Sequence, residues 1–425
     1  MRGVRKPQPL GLAPSFGFGD QLGLATPGHV DALRAHGGRF MPVFAQHACY
    51  GTQYCGRGPS DVMRDAVDAL VGSSFRGRWT ADADRLRTQE DVNAAVGAGF
   101  IYFTIDLAPY IEWRADEMSG AALQDQFKSI RAQVDWIGDY VGKTIELESG
   151  LRIVFDERTV KRLAVKFGHA IAHAVKLAAH VDRVMEKRGR DYEIEIDVSR
   201  VVTPTTLAEH YVIADQCLRS NVNLIAIALR FVRDWEIAVD FRGDRDELLR
   251  SVREQAVVAR RLGPYKLSLT RASDKYSIYE PFARLTNGLC HIRTCGTSYL
   301  EALRTVVRHE PVLFRRIVDH ARNEYGRDST GNAVSARCDQ VCCPSQESDN
   351  DALEQIYLNE DIGRQILHVT SGSVLVDSSL GPTLRDMLVS ESETHRQLLA
   401  RHMGRHLSEL CRGLESAPQD ATVAF

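Results

Sequence analysis

The 425-residue sequence lacks several features that would assign it to a particular class of protein. No stretch approaches the roughly 18 consecutive apolar residues of a membrane helix, and no apolar signal core follows the basic N-terminus. The formal net charge of -3 argues against nucleic-acid binding, which usually needs a strong positive excess. Nine scattered cysteines form a poor disulfide framework. We therefore expect a cytoplasmic protein that binds neither nucleic acid nor membrane.

Complete nucleotide-binding and metal-binding motifs are also missing. The segment Phe16-Gly-Phe-Gly-Asp20 is glycine-rich, but it lacks the third glycine of a dinucleotide fingerprint, and no Walker sequence occurs. His169 and His173 have helical spacing without the glutamate of a zinc protease motif. The cysteines between 338 and 343 have no second pair to complete a zinc site. Motifs alone therefore predict no cofactor.

Short apolar runs alternate with helical segments along the chain. The predicted strands are residues 41–45, 100–105, 192–198, 223–229, 265–269 and 289–293. Near-continuous apolar runs suit parallel strands that are buried on both faces, and repeated βα units favour a closed sheet. We predict an α/β fold, a TIM-type (β/α)8-like barrel over residues 1–310. A helical extension over residues 311–425, with a polar loop at 327–351, is expected to pack on the barrel.

Function in such a barrel lies at the C-terminal ends of the strands. The predicted ends are polar, cationic and rich in hydroxyl groups, which suits an anionic, polyhydroxylated small molecule. The residues at or near these ends include Gln46, Asp106, Arg200, Arg230, Arg271, Ser273, Asp274, Lys275 and Thr297.

One predicted strand is followed by Arg271, Asp274 and Lys275. A carboxylate beside an ammonium group can transfer protons or hold a sugar hydroxyl, although a solvated polar turn is the alternative. Lys266, within the same strand, must point into the barrel mouth or be paired, because an unpaired buried charge is costly. Thr297 begins a helix whose backbone N–H groups either bind an anion or are simply capped.

An ordered series of short motifs runs along nearly the whole chain. It consists of Phe16-Gly-Phe-Gly-Asp-Gln-Leu-Gly-Leu-Ala-Thr-Pro-Gly-His29, Pro42-Val-Phe-Ala-Gln46, Ala81-Asp-Ala-Asp84, Phe103-Thr-Ile-Asp106, Ala228-Leu-Arg-Phe231, Tyr265-Lys-Leu-Ser-Leu269, Ser273-Asp-Lys275, Gly296-Thr-Ser-Tyr-Leu-Glu-Ala302 and His368-Val-Thr370. Together these motifs resemble the tagaturonate epimerase family, the tagaturonate/fructuronate 4-epimerases. The resemblance implies a TIM-type barrel, a ketose or ketouronate substrate and a divalent metal used to invert C4. It also implies a diverged member that is short at its N-terminus.

The departures from the family fall on metal-ligand positions. Arg85 stands where the family has a histidine, residues 199–202 replace an acidic run, and Thr270 replaces a second histidine. Only His368 still matches, whereas a catalytic metal site typically takes about three protein ligands. We therefore expect a metal site whose ligands are largely replaced by arginine and threonine. Arg85, with Arg200 and Arg271, would suit a phosphorylated or otherwise anionic sugar.

Together, these observations predict an epimerase- or isomerase-like enzyme acting on a ketose, ketouronate or anionic sugar derivative, and a possible homo-oligomer. The candidate acid–base groups are Lys266, Asp274, His368 and Asp106, and the candidate substrate-binding residues are Gln46, Asp82, Arg85, Arg200, Arg230, Arg271, Ser273, Lys275 and Thr297. Two alternatives stay open. One is a metal-independent lyase or dehydratase acting on a modified sugar in secondary metabolism. The other is a non-catalytic protein that binds a sugar acid or sugar phosphate.

Overall fold

Eight parallel strands close into a barrel in the computed structural model, which describes residues 5–48, 56–343 and 349–416. The barrel strands are β1 (Ser15–Gly17), β2 (Met41–Ala48), β3 (Thr80–Leu86), β4 (Tyr102–Asp106), β7 (Glu193–Asp197), β8 (Leu224–Ala228), β9 (Lys266–Leu269) and β10 (Cys290–Arg293), with β5 (Lys143–Glu146) and β6 (Arg152–Phe155) in a separate hairpin. Each strand pairs with its neighbour in chain order, and β10 pairs with β1 to close the barrel. The predicted TIM-type fold is therefore confirmed, and β1 and β3 are additions to the six predicted strands.

Helices surround the barrel and extend beyond it. They are α1 (Thr26–His36), α2 (Pro59–Gly72), α3 (Gln89–Ala98), α4 (Gly120–Ile130), α5 (Glu157–Arg188), α6 (Leu207–Arg219), α7 (Arg245–Leu262), α8 (Tyr276–Leu285), α9 (Thr297–His309), α10 (Pro311–Asp328), α11 (Asn350–Glu354), α12 (Asp361–Val369), α13 (Ser371–Val376), α14 (Leu380–Ser390) and α15 (Ser392–Glu415). Several begin at a side-chain cap. Thr88 Oγ1, for example, accepts a hydrogen bond from the backbone N–H of Asp91 at 3.1 Å, which satisfies a donor that the first turn leaves unpaired. Within the described residues, no helix is both long and apolar enough to cross a membrane.

The C-terminal helices divide between two apolar cores. Side chains of α9 and α10 pack with those of α11 to α14 in a core beside the barrel. The last helix, α15, returns to the barrel core through Met403, Leu407 and Leu410, and it packs against α1 and α8. This return places α15 behind the loop that follows β9. The division of the chain at residue 310 stays a prediction. The predicted polar loop falls mainly between α10 and α11, with residues 344–348 outside the described residues.

Candidate active site

Carboxylates of β3 and β7 line the inside of the barrel. Asp82 and Asp84 alternate along β3, as Glu195 and Asp197 do along β7, and side chains two residues apart on a strand point to the same face. All four are buried, with Glu195 fully inaccessible to solvent. Because strands run toward the barrel mouth, Asp84 and Asp197 form the upper pair and Asp82 and Glu195 the lower one.

Arg293, the last residue of β10, bridges the upper pair. Its Nη1 donates to Asp84 Oδ1 at 2.7 Å and its Nη2 to Asp197 Oδ2 at 2.6 Å. Burial alone would lower the pKa of Arg293, but the charges of Asp84, Glu195 and Asp197 outweigh it and raise that pKa well above its usual value. The pKa of Asp197 is lowered, because Arg293 and hydrogen bonds from Ser199 outweigh the effect of burial. The two carboxylates of the upper pair are thus held together by one buried guanidinium.

The two carboxylates of the lower pair accept hydrogen bonds from neighbouring hydroxyl groups, and their pKa values are raised. Asp82 accepts a 2.8 Å hydrogen bond from Thr104 Oγ1, and Glu195 accepts one of 2.7 Å from the hydroxyl of Tyr102. Burial raises the pKa of Glu195, and burial together with the charge of Asp84 raises that of Asp82 well above its usual value. Asp82, a predicted substrate-binding residue, therefore lies in a closed layer beneath Arg293 rather than at the mouth.

Three arginines gather above this network at the C-terminal ends of the strands. Arg85 lies in a bulge of β3, and Arg200 and Arg271 follow β7 and β9. Burial, together with the charges of Arg85 and Arg200, lowers the pKa of Arg271 to about 10. The nearest ion-pair distances are 3.9 Å, from Arg85 to Asp84 and from Arg200 to Asp106. Among the described residues, no carboxylate oxygen lies within 4.0 Å of the Arg271 guanidinium.

His368 joins this cluster from α12. Its Nε2 lies 3.0 Å from the carbonyl oxygen of Cys295, in the loop after β10. Gly296 makes this approach possible: its φ is +77°, and a Cβ there would fall 2.1 Å from His368 Nε2. Burial would raise the pKa of the Cys295 thiol, but His368, Arg85 and Arg271 lower it. Sequence analysis did not single out Cys295, although the motif Gly296-Thr-Ser-Tyr-Leu-Glu-Ala302 begins directly after it.

Gln46 and Arg230 lie at the edges of the mouth. Gln46 Nε2 donates to the carbonyl oxygen of Thr294 at 3.0 Å. Its amide packs against Gly17, where a Cβ would fall 2.1 Å from Gln46 Oε1, so only a glycine leaves room for it. Arg230 lines a small cleft with Thr270 and Trp235. A guanidinium N–H of Arg230 bonds to a nearby backbone carbonyl, whereas its Nε has no hydrogen-bond partner among the described residues.

Lys266 does not reach the mouth. It is the first residue of β9, so it lies at the N-terminal end of the barrel. Its Nζ donates to Ser15 Oγ at 3.1 Å and to the carbonyl oxygen of Ala13 at 3.4 Å. Of the two predicted arrangements, Lys266 therefore has the paired one, inside the barrel floor, and its acid–base role stays a prediction.

Asp274 is likewise directed away from the mouth. Its carboxylate accepts from Arg364 Nη2 at 2.7 Å and lies 2.7 Å from His402 Nε2 of α15. Thr297 Oγ1 is 3.2 Å from the same carboxylate and 2.7 Å from His402 Nε2. The charges of His402 and Arg364 outweigh burial and hold the pKa of Asp274 well below its usual range. Asp274 and Thr297 thus belong to a buried network with Arg364 and His402, and their predicted acid–base and binding roles stay predictions.

The remaining predicted residues are also bound by protein groups. Ser273 Oγ donates to the carbonyl oxygen of Cys295 at 2.7 Å, and Lys275 Nζ donates to the carbonyl oxygen of Glu236 at the same distance. Asp106 accepts from Arg87 Nε at 2.8 Å. These pairs fix the loops after β9 and β4, so the three side chains orient the mouth rather than offering free groups to a ligand.

A closed barrel with charged residues at the C-terminal ends of its strands defines an enzyme of the TIM-barrel class that acts on a small molecule. A sequence profile of the family described as UxaE, tagaturonate epimerase, matches residues 3–410. A tagaturonate/fructuronate epimerase of Thermotoga maritima is 34% identical over 408 residues, which cover 95% of this chain and 82% of that protein. The chain therefore belongs to the tagaturonate epimerase family, and its prediction as a carbohydrate epimerase-like enzyme is confirmed.

Crystal structures of fructuronate-tagaturonate epimerase UxaE from Cohnella laeviribosi have the same fold. The native structure superimposes with a TM-score of 0.88 at 27% identity, over 96% of this chain and 83% of that one. A complex with one glycerol gives the same TM-score at 28% identity and the same coverage. The similarity thus extends from the barrel to the added helices.

The mouth residues of this chain fit a divalent metal poorly. His368, Arg85 and Arg271 all act on the Cys295 thiol, so positive charge that would repel a metal cation lies in the same part of the mouth as this histidine. The upper carboxylates Asp84 and Asp197 already hold Arg293. In the described parts of the chain, the one group of three metal-type donors is Asp274 with His402 and His406. It lies behind the β9 loop, where Arg364 occupies the carboxylate. Neither place offers the open, anionic donor set that a catalytic metal needs.

Proposed function

We propose that this chain is an epimerase-like enzyme acting on a ketose or ketouronate whose anionic group is bound by Arg85, Arg200 and Arg271. The observation that carries the proposal is the set of three guanidinium groups at the barrel mouth without a close carboxylate partner. Guanidinium groups bind carboxylate and phosphate through paired hydrogen bonds, and their charge stays fixed at neutral pH. The substrates named for the relatives, tagaturonate and fructuronate, carry such a carboxylate.

Inversion of a sugar carbon in such a substrate needs an acid–base group and stabilisation of a negative oxygen. A proton removed beside a carbonyl, or a carbon–carbon bond broken in a retro-aldol step, leaves an enediolate. His368 supports the first requirement, since its Nε2–H donates to a carbonyl oxygen and its Nδ1 has no hydrogen-bond partner among the described residues. The arginine cluster supports the second, because cations placed in advance stabilise developing negative charge.

We also propose that this chemistry does not depend on a divalent metal. The support is the donor set: the family positions expected to hold a metal carry Arg85, Ser199, Arg200 and Thr270. Elemental analysis of the purified protein, followed by activity assays after exhaustive chelation, tests this point. One tightly bound equivalent of zinc or manganese that is required for activity would overturn it.

The location and assembly of the protein stay predictions from the sequence. We propose a cytoplasmic enzyme, because nine scattered cysteines favour a reducing compartment. The partner is a small anionic sugar, and a homo-oligomer is possible.

The test of function is direct. Purified protein is incubated in D2O with D-tagaturonate or D-fructuronate, and products are followed by NMR, with His368→Asn as the catalytic variant. Interconversion of the two sugars that falls by roughly 10²–10⁴-fold in the variant would support the proposal. An unsaturated product formed by loss of water would favour a lyase instead. Binding without turnover of either sugar would favour a non-catalytic binding protein.

A further inference from the structure

Two strand ends at the mouth each supply a hydroxyl group followed by an arginine. Ser199 and Arg200 come after β7, and Thr270 and Arg271 come after β9. Ser268, two residues before Thr270, bonds to a carboxylate inside the barrel, and alternate side chains of a strand share one face. The Thr270 side chain therefore points to the inside of the barrel at its open end, beside the arginines proposed to bind the substrate carboxylate.

A chain of hydrogen bonds fixes the direction of the Thr270 hydroxyl. Burial would raise the pKa of Asp197, but Arg293 and Ser199 outweigh it and lower that pKa, so this carboxylate is ionised at neutral pH and can only accept hydrogen bonds. Ser199 Oγ therefore donates to Asp197 Oδ1, at 2.6 Å. With its one proton in use, Ser199 Oγ accepts from Thr270 Oγ1, at 2.9 Å. The single proton of Thr270 is thus directed inward, and its oxygen keeps lone pairs for a ligand.

The backbone around this hydroxyl is also held in place. Trp235 Nε1 donates to the carbonyl oxygen of Thr270 at 3.2 Å. The backbone N–H of Ser199 donates to Asp197 Oδ1 at 2.8 Å. Ser199 is buried, whereas Thr270 keeps part of its surface exposed and lines a cleft together with Arg230. Thr270 is therefore a preorganised acceptor in the wall of this cleft.

An oriented acceptor selects among the groups of a sugar acid. Carboxylate and keto oxygens carry no proton, so they would face the lone pairs of Thr270 without forming a hydrogen bond. A sugar hydroxyl can donate to Thr270, and its oxygen can accept from the guanidinium of Arg230, which lines the same cleft. Phe231 and Trp235 give the cleft apolar walls, which suit the C–H groups of a sugar. The cleft therefore fits a carbon that bears a hydroxyl and not the carboxylate end of the substrate.

Building on the function proposed above, we propose that Thr270 is a specificity-determining residue, which accepts a hydrogen bond from one secondary hydroxyl of the ketouronate while the neighbouring arginines hold the carboxylate. Ser199 is a positioning residue, because it acts on the substrate only through Thr270. The consequence is selectivity against deoxy sugar acids. A site arranged around a substrate hydroxyl leaves its own polar group unpaired when that hydroxyl is missing.

Calorimetric titration of the full-length protein tests the proposal. The probes are D-fructuronate and its 3-deoxy, 4-deoxy and 5-deoxy analogues. One of these analogues should bind to the wild type roughly three- to tenfold more weakly than D-fructuronate, because it lacks the hydroxyl that donates to Thr270.

Four variants separate recognition from a structural effect. Thr270→Val keeps the shape but removes the acceptor, so the sensitive analogue and D-fructuronate should bind to it within about twofold of each other. Thr270→Ser keeps the hydroxyl and should keep the discrimination. Ser199→Ala frees the Thr270 proton to turn toward the ligand, so the discrimination should weaken although Thr270 is present. Thr144→Val, on the exposed strand β5, is the matched control and should bind like wild type.

The outcomes for the two proposals are separable. Equal discrimination by wild type and Thr270→Val, in proteins with unchanged melting temperatures, would overturn the hydroxyl subsite, as would the absence of any sensitive analogue. If Thr270→Val does not fold, equal discrimination by Thr270→Ser and Ser199→Ala overturns it. Turnover of ketouronates together with any of these results would leave the catalytic proposal in place. The expected binding pattern without turnover would keep the subsite and remove the catalytic proposal, and absence of ketouronate binding would remove both.

Discussion

Replacing Asp274 by asparagine should destabilise the fold strongly, because this carboxylate is structural. Asp274 and Arg364 have side chains only 6% and 9% exposed, and their atoms are 2.7 Å apart. Asparagine keeps the shape but removes the charge, so Arg364 and His402 would be left buried without their anion. Breaking a buried ion pair from one side costs about 3–5 kcal/mol. We expect a loss at the lower end, about 3 kcal/mol, since the amide oxygen can still accept one hydrogen bond.

The assay is equilibrium unfolding in urea, followed by both tryptophan fluorescence and circular dichroism. The shift in midpoint at a constant slope gives the change in the free energy of unfolding. Asp361→Asn is the matched control, because Asp361 pairs with Arg242 at the surface, where both side chains are exposed by more than 40%. Such exposed pairs contribute about 0–1 kcal/mol, so the control should change stability little.

Two results would contradict this interpretation of Asp274. The first is a destabilisation by Asp274→Asn no larger than that of Asp361→Asn. The second is unchanged stability together with a fall in kcat of roughly 10²–10⁴-fold, which is the contribution of a general acid or base. That result would favour the predicted catalytic role of Asp274. A folded variant with near-normal kcat and a raised KM would agree with the structure, because Asp274 anchors the loop that carries Arg271.

Two further predictions concern the surroundings of the mouth. Gly296→Ala should lower kcat by displacing His368, because the added methyl carbon would fall 2.1 Å from His368 Nε2 and the φ of +77° at this position disfavours alanine. Steady-state kinetics on the folded variant test this prediction. An unchanged kcat would contradict it. Burial lowers the pKa of His402, but the charges of Glu301 and Asp274 outweigh this effect and raise the pKa above 6.5. Protonated His402 therefore stabilises the folded state fully below pH 6.5, the unfolded value. This stabilisation is lost as the pH rises through the raised pKa. Melting temperatures measured upward from about pH 6 should show this loss in wild type, and His402→Gln should lack it.

The fold follows from the sequence because its strands are distinctive. Residues 224–228 of β8 form an apolar run that only a strand buried on both faces explains. β3 is harder to identify, since Asp82, Asp84 and Arg85 make it look like a polar loop. The alternation of its aspartates is a signal that sequence analysis did not use: in a closed barrel, charged residues at every second position of a strand share one face, here the interior. The same reasoning applied to β7 would have identified Asp197, and with it the need for a buried cation such as Arg293.

Side-chain direction in the mouth is less predictable. A residue after a strand has its backbone near the mouth, but its side chain points either to the substrate or to the shell of helices. Arg271 and Asp274 are three residues apart and point to opposite places, because Asp274 meets Arg364 and His402 from distant helices. The sequence around Asp274 gives no indication that Arg364 and His402 are its partners. Lys266 is a simpler case, because its position at the start of β9 places it at the opposite end of the barrel.

The arginines of this protein differ in what neutralises them, and this difference locates function. Arg293 and Arg364 are each held by buried carboxylates, so their charges are compensated within the fold. Among the described residues, Arg271 has no carboxylate oxygen within 4.0 Å, and Arg85 shares its carboxylate, Asp84, with Arg293. Repulsion between Arg85 and Arg271 therefore lowers stability when no anion is bound. A bound anion would remove that repulsion and stabilise the folded state by an amount set by its concentration relative to Kd. Arg85 and Arg271 therefore lower the stability of the free protein and favour the binding of an anion. This combination is expected of a binding site and not of a structural core.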